Sequence, residues 1–356
     1  MNRFVLAIAL LPFLASAAPV ATAPAGSLPD GMPNPSPEQI REIELKAHGT
    51  LPSLPLPSNI SRTGITNLQL IAFNELFEVA FFNELLYNVT TEVEGYTFST
   101  PEDQDFAIRS LTAILAQEEI HALTANDALK HFHVNPVQPC EYIFPVDTFD
   151  AAIDLAATFT DVVLGALQAV TQRFAEGGDA ALTRVIAATI GNEGEQEGWF
   201  RVLQHKIPSE LPTPTTGNRD YAFSAVNAFV VPGTCPNMHE IQLKVFPKLT
   251  ALITPGPRSQ DINVTFTLDD SVVAAEISHM KLGLTYVNQL NVPITEKLEI
   301  LKFDGQTVLG QAYFPYEEHM MNGLTLMVVT NGLGPYGTNG DYTMKTIAGP
   351  EMKINN

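Results

Sequence analysis

Glu118 and His121 stand three residues apart in the run Gln117-Glu118-Glu119-Ile120-His121. That spacing places a carboxylate and an imidazole on one helix face, one turn apart, which is how packed helices present ligands to a metal ion. Glu118 continues the apolar row Ile108, Leu111, Leu115 and Ala122, so it is expected to face inward. Glu75 sits in the apolar run Asn74-Glu75-Leu76-Phe77-Glu78-Val79-Ala80-Phe81-Phe82, where an unpaired charge is costly. Glu193 continues Ile186 and Ile190 toward Phe200, and Gln196 follows three residues later. The last of these helices thus repeats the Glu-x-x-His spacing with glutamine in place of histidine. A single such pair is common by chance; three acids brought inward at comparable depth are a stronger signal. Asp154 and Asp161 share a face with Thr158 and Gln168 and are expected in solvent. His131 and His133, two residues apart, do not share a face and are expected to serve a helix C-terminus.

Proline placement shows which elements must hold these residues. Residues 58–100, 102–135 and 146–207 contain no proline, and long helices can run only in such windows. Periodicity predicts helices from Thr66 to Val89, from Pro101 behind the cap Ser99-Thr100, from Asp147 or Thr148 to Gly177-Gly178, and from near Asp179 onward. Four long helices with one longer connection pack naturally as a four-helix bundle. A short helix is expected from Glu38 to His48, ended by Gly49, within a proline-rich stretch. From about residue 218 the period changes. Ile262–Leu268 alternates, and Lys297–Phe303 is followed by Asp304-Gly305, a hairpin signal. Further strands are expected within Ile241–Ile253, Met280–Leu290, Thr307–Phe314, Leu324–Val329 and Tyr342–Ile347. The fold class is therefore α+β, a helical bundle followed by a β-sandwich-like domain. The expected units are residues 1–17 as signal peptide, 18–58 as linker, 59–207 as bundle and 208–356 as β-rich domain.

The start of the chain reads as a secretory leader: Met1-Asn2-Arg3, an apolar run from Phe4 to Leu14, and a small-residue cleavage site at Ala15-Ser16-Ala17. Three sequons, at Asn59, Asn88 and Asn263, are expected to carry glycans. The two cysteines, Cys140 and Cys235, are expected to pair in an oxidising compartment. The formal charge of −20 over 356 residues argues against nucleic acid or an anionic membrane surface as partner, and no later run is expected to span a membrane.

On the stretches quoted around Glu75 and Glu118, and on Gly191-Asn192-Glu193-Gly194-Glu195-Gln196-Glu197, the helical half resembles the ferritin-like domain. The whole chain resembles the fungal late-sexual-development and desiccation-regulated stress-response family. The resemblance implies a di-metal site with one glutamate from each of two helices and a Glu-x-x-His from each of the other two. Glu75, Glu118, His121 and Glu193 match it. Thr160 stands where the third helix should place a carboxylate, and Gln196 replaces the second histidine. Three carboxylates do not balance two divalent ions, so the expected site is degenerate, holding one iron or manganese ion or none, with no catalytic residue assigned. Without metal, the three buried acids must be protonated or hydrogen-bonded to His121, Gln196 or Thr160. The resemblance implies a secreted protein of stress response or sexual development with an extracellular protein or polysaccharide partner. The alternative is a metal-dependent oxidase or peroxide-handling enzyme using the residual site.

Overall fold

The computed structural model describes residues 28–254, 256–268, 280–337 and 342–355; the expected leader lies outside them. Helix α1 spans Pro37–Ala47, α2 Arg62–Thr90, α3 Pro101–His131, α4 Phe149–Glu176, α5 Thr183–Leu203 and α6 Arg219–Asn227. Each of the three longest helices begins at a hydroxyl cap. Ser61, Thr100 and Thr148 accept hydrogen bonds from the backbone N–H of Gly64, Asp103 and Ala151, satisfying donors that a helix start leaves unpaired. Ser36 and Gln39 form a capping box at α1, and His48, rather than Gly49, takes the left-handed cap, with φ 56°.

Helices α2 to α5 close a ring around one interior. Helix α2 packs on α3 and α4, and α4 packs on α5. Hydrogen bonds from Asn192 to Gln117 and from Gln196 to Glu118 join α5 to α3. The apolar surround of α2 is explained by aromatic packing. Phe77 has the rings of Tyr142, Phe144, Phe159 and Phe229 at 5.2–5.6 Å, so the α3–α4 connection and the chain after α6 fold over it. Helix α4 is long and apolar enough to cross a membrane by length and composition alone, but 72% of that window is buried against the rest of the fold. The proline-rich segment is not a free linker. Ile43 and Ala47 of α1 are buried, and α1 packs on α3.

Eight strands follow: β1 Leu249–Leu252, β2 Gln260–Thr267, β3 Leu282–Asn288, β4 Ile294–Lys297, β5 Glu299–Phe303, β6 Thr307–Phe314, β7 Gly323–Asn331 and β8 Thr346–Asn355, with a one-turn helix α7, Tyr316–His319, before β7. They make two antiparallel four-stranded sheets, ordered β1-β2-β6-β5 and β4-β3-β7-β8. The expected Asp304-Gly305 turn joins β5 to β6, with Asp304 Oδ1 accepting from the N–H of Gln306 and Thr307. The expected strand within Ile241–Ile253 forms only at its end. The one expected over Tyr342–Ile347 begins at Thr346 and runs to Asn355.

The second sheet lies between two apolar clusters. Leu284, Tyr286, Met327 and Val329 join Val264, Phe266 and Phe314 of the first sheet. Val287, Leu324, Leu326 and Val328 join the helical core. Strand β7 is therefore buried on both faces, which is why its sequence shows an apolar run rather than alternation. Helix α6, within the stretch expected to be β-rich, packs on α2 and α4, so the two halves share a core. Cys140 and Cys235 form a disulfide between the α3–α4 connection and the segment after α6.

Candidate metal centre

Glu75 from α2, Glu118 and His121 from α3, and Glu193 from α5 converge in the helical interior. One ligand atom from each lies within 4.8 Å of all the others. Nδ1 of His121 is 3.0 Å from Glu118 Oε2, 3.3 Å from Glu193 Oε1 and 3.6 Å from Glu75 Oε2. One imidazole N–H cannot donate to three carboxylates on three helices. A ring nitrogen facing three carboxylate oxygens is also the donor set of an ion held among them. All three glutamates are fully buried. Both carboxylate oxygens of Glu75 and of Glu193 lack hydrogen bonds, as does Oε1 of Gln196. Buried oxygens without partners are costly, and a cation satisfies them. The residues present therefore fit a divalent ion that accepts carboxylate and imidazole ligands, iron or manganese among them.

The electrostatics describe the metal-free cluster. Burial drives the carboxyl of Glu75 well above its usual range despite His121 beside it. Burial and the charge of Glu118 push Glu193 up to about 7. At Glu118 burial acts in the same direction, but the attraction of His121 and hydrogen bonds from His121 and Gln196 outweigh it and leave the group below the usual value. Burial depresses the imidazole of His121, yet the adjacent Glu118 more than compensates and holds it well above its ordinary value. Without metal the centre is thus a Glu118–His121 ion pair among protonated acids.

A surrounding layer orients these groups. Gln196 Nε2 donates to Glu118 Oε1 at 2.5 Å and to Gln117 Oε1 at 3.3 Å, and Asn192 donates to the same Gln117 oxygen at 3.2 Å. Gln117 Nε2 in turn reaches the carbonyl of Ala47 at 3.5 Å, tying the centre to α1. Thr160 is buried on α4 and its hydroxyl has no hydrogen-bond partner; none of the four clustered residues comes from α4.

Sequence reasoning missed several buried acids, Glu78, Glu119 and Glu197 among them. Glu78 is fully buried, and Asn74 Nδ2 donates to its Oε1 at 2.7 Å, while its Oε2 has no partner. Its signal was the i, i+3 spacing from Glu75, lost because α2 is apolar on every side and offers no face to read. Asp161, expected in solvent, is buried beside Glu197 and Arg201. Arg201 donates from Nε to the carbonyl of Ile207 at 2.6 Å and pairs with Glu210 at 3.5 Å, so that acidic group comes with its own cation. Asp154 is exposed, as expected. His131 ends α3 and reaches the carbonyl of Pro57 at 2.9 Å. Asn59 is exposed and Asn263 half-buried on β2. Asn88 is only 4% exposed inside α2, so the glycan expected there does not fit the folded chain.

No protein-family model matches this chain, and no curated protein matches it in sequence.

Proposed function

We propose that this chain is a secreted metal-binding protein in which α2 to α5 form a ferritin-like bundle and the two sheets a β-sandwich-like appendage. The observation that carries the metal reading is the single imidazole nitrogen of His121 facing carboxylate oxygens from three helices. Iron or manganese suits that donor set. Secretion is supported by the Cys140–Cys235 disulfide, which suits an oxidising compartment, and by the exposed sequon at Asn59. The role in stress response or sexual development, and an extracellular protein or polysaccharide partner for the β half, rest on the family resemblance alone.

Elemental analysis of the protein secreted by its native host, before and after reconstitution with Fe(II) or Mn(II), tests the reading. Near-stoichiometric metal is expected, falling at least tenfold in a Glu118→Ala/His121→Ala variant. Background metal in the reconstituted wild type sinks it.

A redox enzyme is the second reading, favoured by a small cavity between α2 and α4 lined by Leu70, Asn74, Glu75, Val163 and Leu167. It has room for about one water-sized molecule. A redox-active ion held by Glu75, Glu118, His121 and Glu193 would, when bound, supply one-electron chemistry toward a small oxidant such as peroxide. The chain's part is to orient the ion through Glu75 and to exclude bulk water with the apolar wall. Metal-dependent peroxide consumption that is lost in the same double variant supports this reading, and its absence from fully loaded protein removes it.

A further inference from the structure

Helices α2 and α4 run antiparallel. The N–H of Phe149, which opens α4, donates to the carbonyl of Gly95 just past α2. At the opposite ends Asp179 accepts from Ser61, the α2 cap. Leu70 of α2, Val170 of α4 and Ala222 of α6 line one small cavity. One turn away, toward the start of α2, the end of α4 and the start of α6, stand Asn67, Arg173 and Arg219. Residues three apart on a helix share a face, so these three side chains gather beyond one end of that cavity. Arg219 joins α6 to α2 directly: its Nη1 donates to Asn67 Oδ1 at 2.8 Å and to the carbonyl of Thr63 at 3.4 Å.

Both bonds use one nitrogen, which leaves the Nε–Nη2 edge of the guanidinium without a partner among the described residues. Nε is buried and unpartnered, as is Nδ2 of fully buried Asn67. Turning the Asn67 amide does not relieve this, because it sets the amide nitrogen against the Nη1 donor. Among the described residues neither Arg173 nor Arg219, both half-buried, makes an ion pair. Asp220, next in the chain, accepts from the N–H of Lys244 at 2.7 Å. With 39 Asp and Glu against 19 Lys and Arg, two arginines left to each other run against the balance of the whole chain. Burial and the charge of Arg173 lower the Arg219 guanidinium to about 10, so it stays charged at neutral pH. Donors without acceptors and a buried charge without a counter-charge are both costly.

We propose that Arg219, Asn67 and Arg173 bind a dianionic oxyanion, a phosphate either free or as a monoester. The Nε–Nη2 edge of an arginine takes two oxygens of one phosphate side by side. Asn67 Nδ2 supplies a further donor, and Arg173 the second positive charge. Two cations match a dianion, whereas a carboxylate leaves one positive charge over. A water molecule satisfies the donors but neither charge.

Calorimetric titration of the full-length protein at pH 8 and fixed ionic strength compares inorganic phosphate, glucose 6-phosphate and acetate. Chelator is present so that no metal ion takes the anion. One phosphate per chain is expected, bound at least tenfold more tightly than acetate. Arg219→Lys keeps the charge but not the fork, and Arg173→Gln removes the second charge; each is expected to weaken binding at least tenfold. Arg173→Gln alters a half-exposed side chain, so it carries the test if Arg219→Lys unfolds. Asn67→Asp places a carboxylate against Arg219 and is expected to abolish binding while raising the melting temperature. Tighter binding of glucose 6-phosphate than of phosphate assigns the site to esters, and the reverse assigns it to the free ion; both uphold it. No saturable phosphate binding, which leaves the donors to water, overturns the proposal. So does affinity equal to that of acetate, or binding that survives Arg173→Gln unchanged.

Discussion

Buried acids respond to pH according to which way the fold moves their proton affinity. Burial pushes Glu193 up to about 7 and Glu197 up to about 8. At Glu119 burial, and then contact with Asp30, raise the carboxyl to about 9. In the unfolded chain these groups ionise near 4.3–4.5. Between that value and the folded one, the native state holds more protons than the unfolded state, so stability falls as pH rises. His121 acts in the same sense, since its raised imidazole pKa contributes stability that is lost on deprotonation; Glu118 alone among the four opposes it. Thermal melts with chelator present should therefore show a lower melting temperature at pH 8 than at pH 5. A melting temperature that rises over that interval contradicts the protonated, metal-free cluster. The sequence identified Glu118 and Glu193 because each continues a readable helical row, His121 and Gln196 by their spacing of three from those acids, and Glu75 by the apolar run around it. Glu78 was invisible to the same logic because α2 is apolar on all sides, and only the packing shows that it is buried.

At the scale of elements, α2 holds the site in place. It presents Glu75 and Glu78 to the interior, and its neighbour Phe77 anchors the helix within four aromatic rings. Truncating that side chain leaves a cavity that the surrounding rings cannot fill. Phe77→Ala is expected to cost about 3–5 kcal/mol, read as a lowered denaturant midpoint with an unchanged slope. A loss below about 1 kcal/mol would mean that the rings collapse into the space. The starts of α3 and α4 were legible because Ser or Thr at a cap is a local signal, and the structure places Thr100 and Thr148 as those caps. The expected start of the first long helix, Thr66, lies one turn inside the true one, because the Ser61 cap depends partly on Asp179. That carboxylate accepts from the Ser61 N–H at 2.9 Å and from its hydroxyl at 2.6 Å, 118 residues away in sequence.

For the whole molecule, the shared core and the disulfide link the helical and sheet halves. The bond closes a separation of 95 residues, and loop-closure entropy alone assigns it about 4–5 kcal/mol. A Cys140→Ala/Cys235→Ala variant is expected to unfold at a correspondingly lower denaturant concentration. A change under about 1 kcal/mol would show that the bridged segments remain together without the bond, held by contacts such as the bridge from Tyr142 to Val230.

By itself the sequence determined what short-range physics can encode. It set the four long helices through proline-free windows and capping residues, the β5–β6 turn through Asp304-Gly305, and the inward acids wherever a helix has a readable face. The tertiary structure decided what depends on contacts across the chain. It seated α1 on α3 instead of leaving a linker, buried Asp161, Asn88 and Glu78, and gave both faces of β7 to cores. The reason is physical: periodicity records one element's preference for an apolar side, whereas burial of a particular polar atom depends on the partners that surround it.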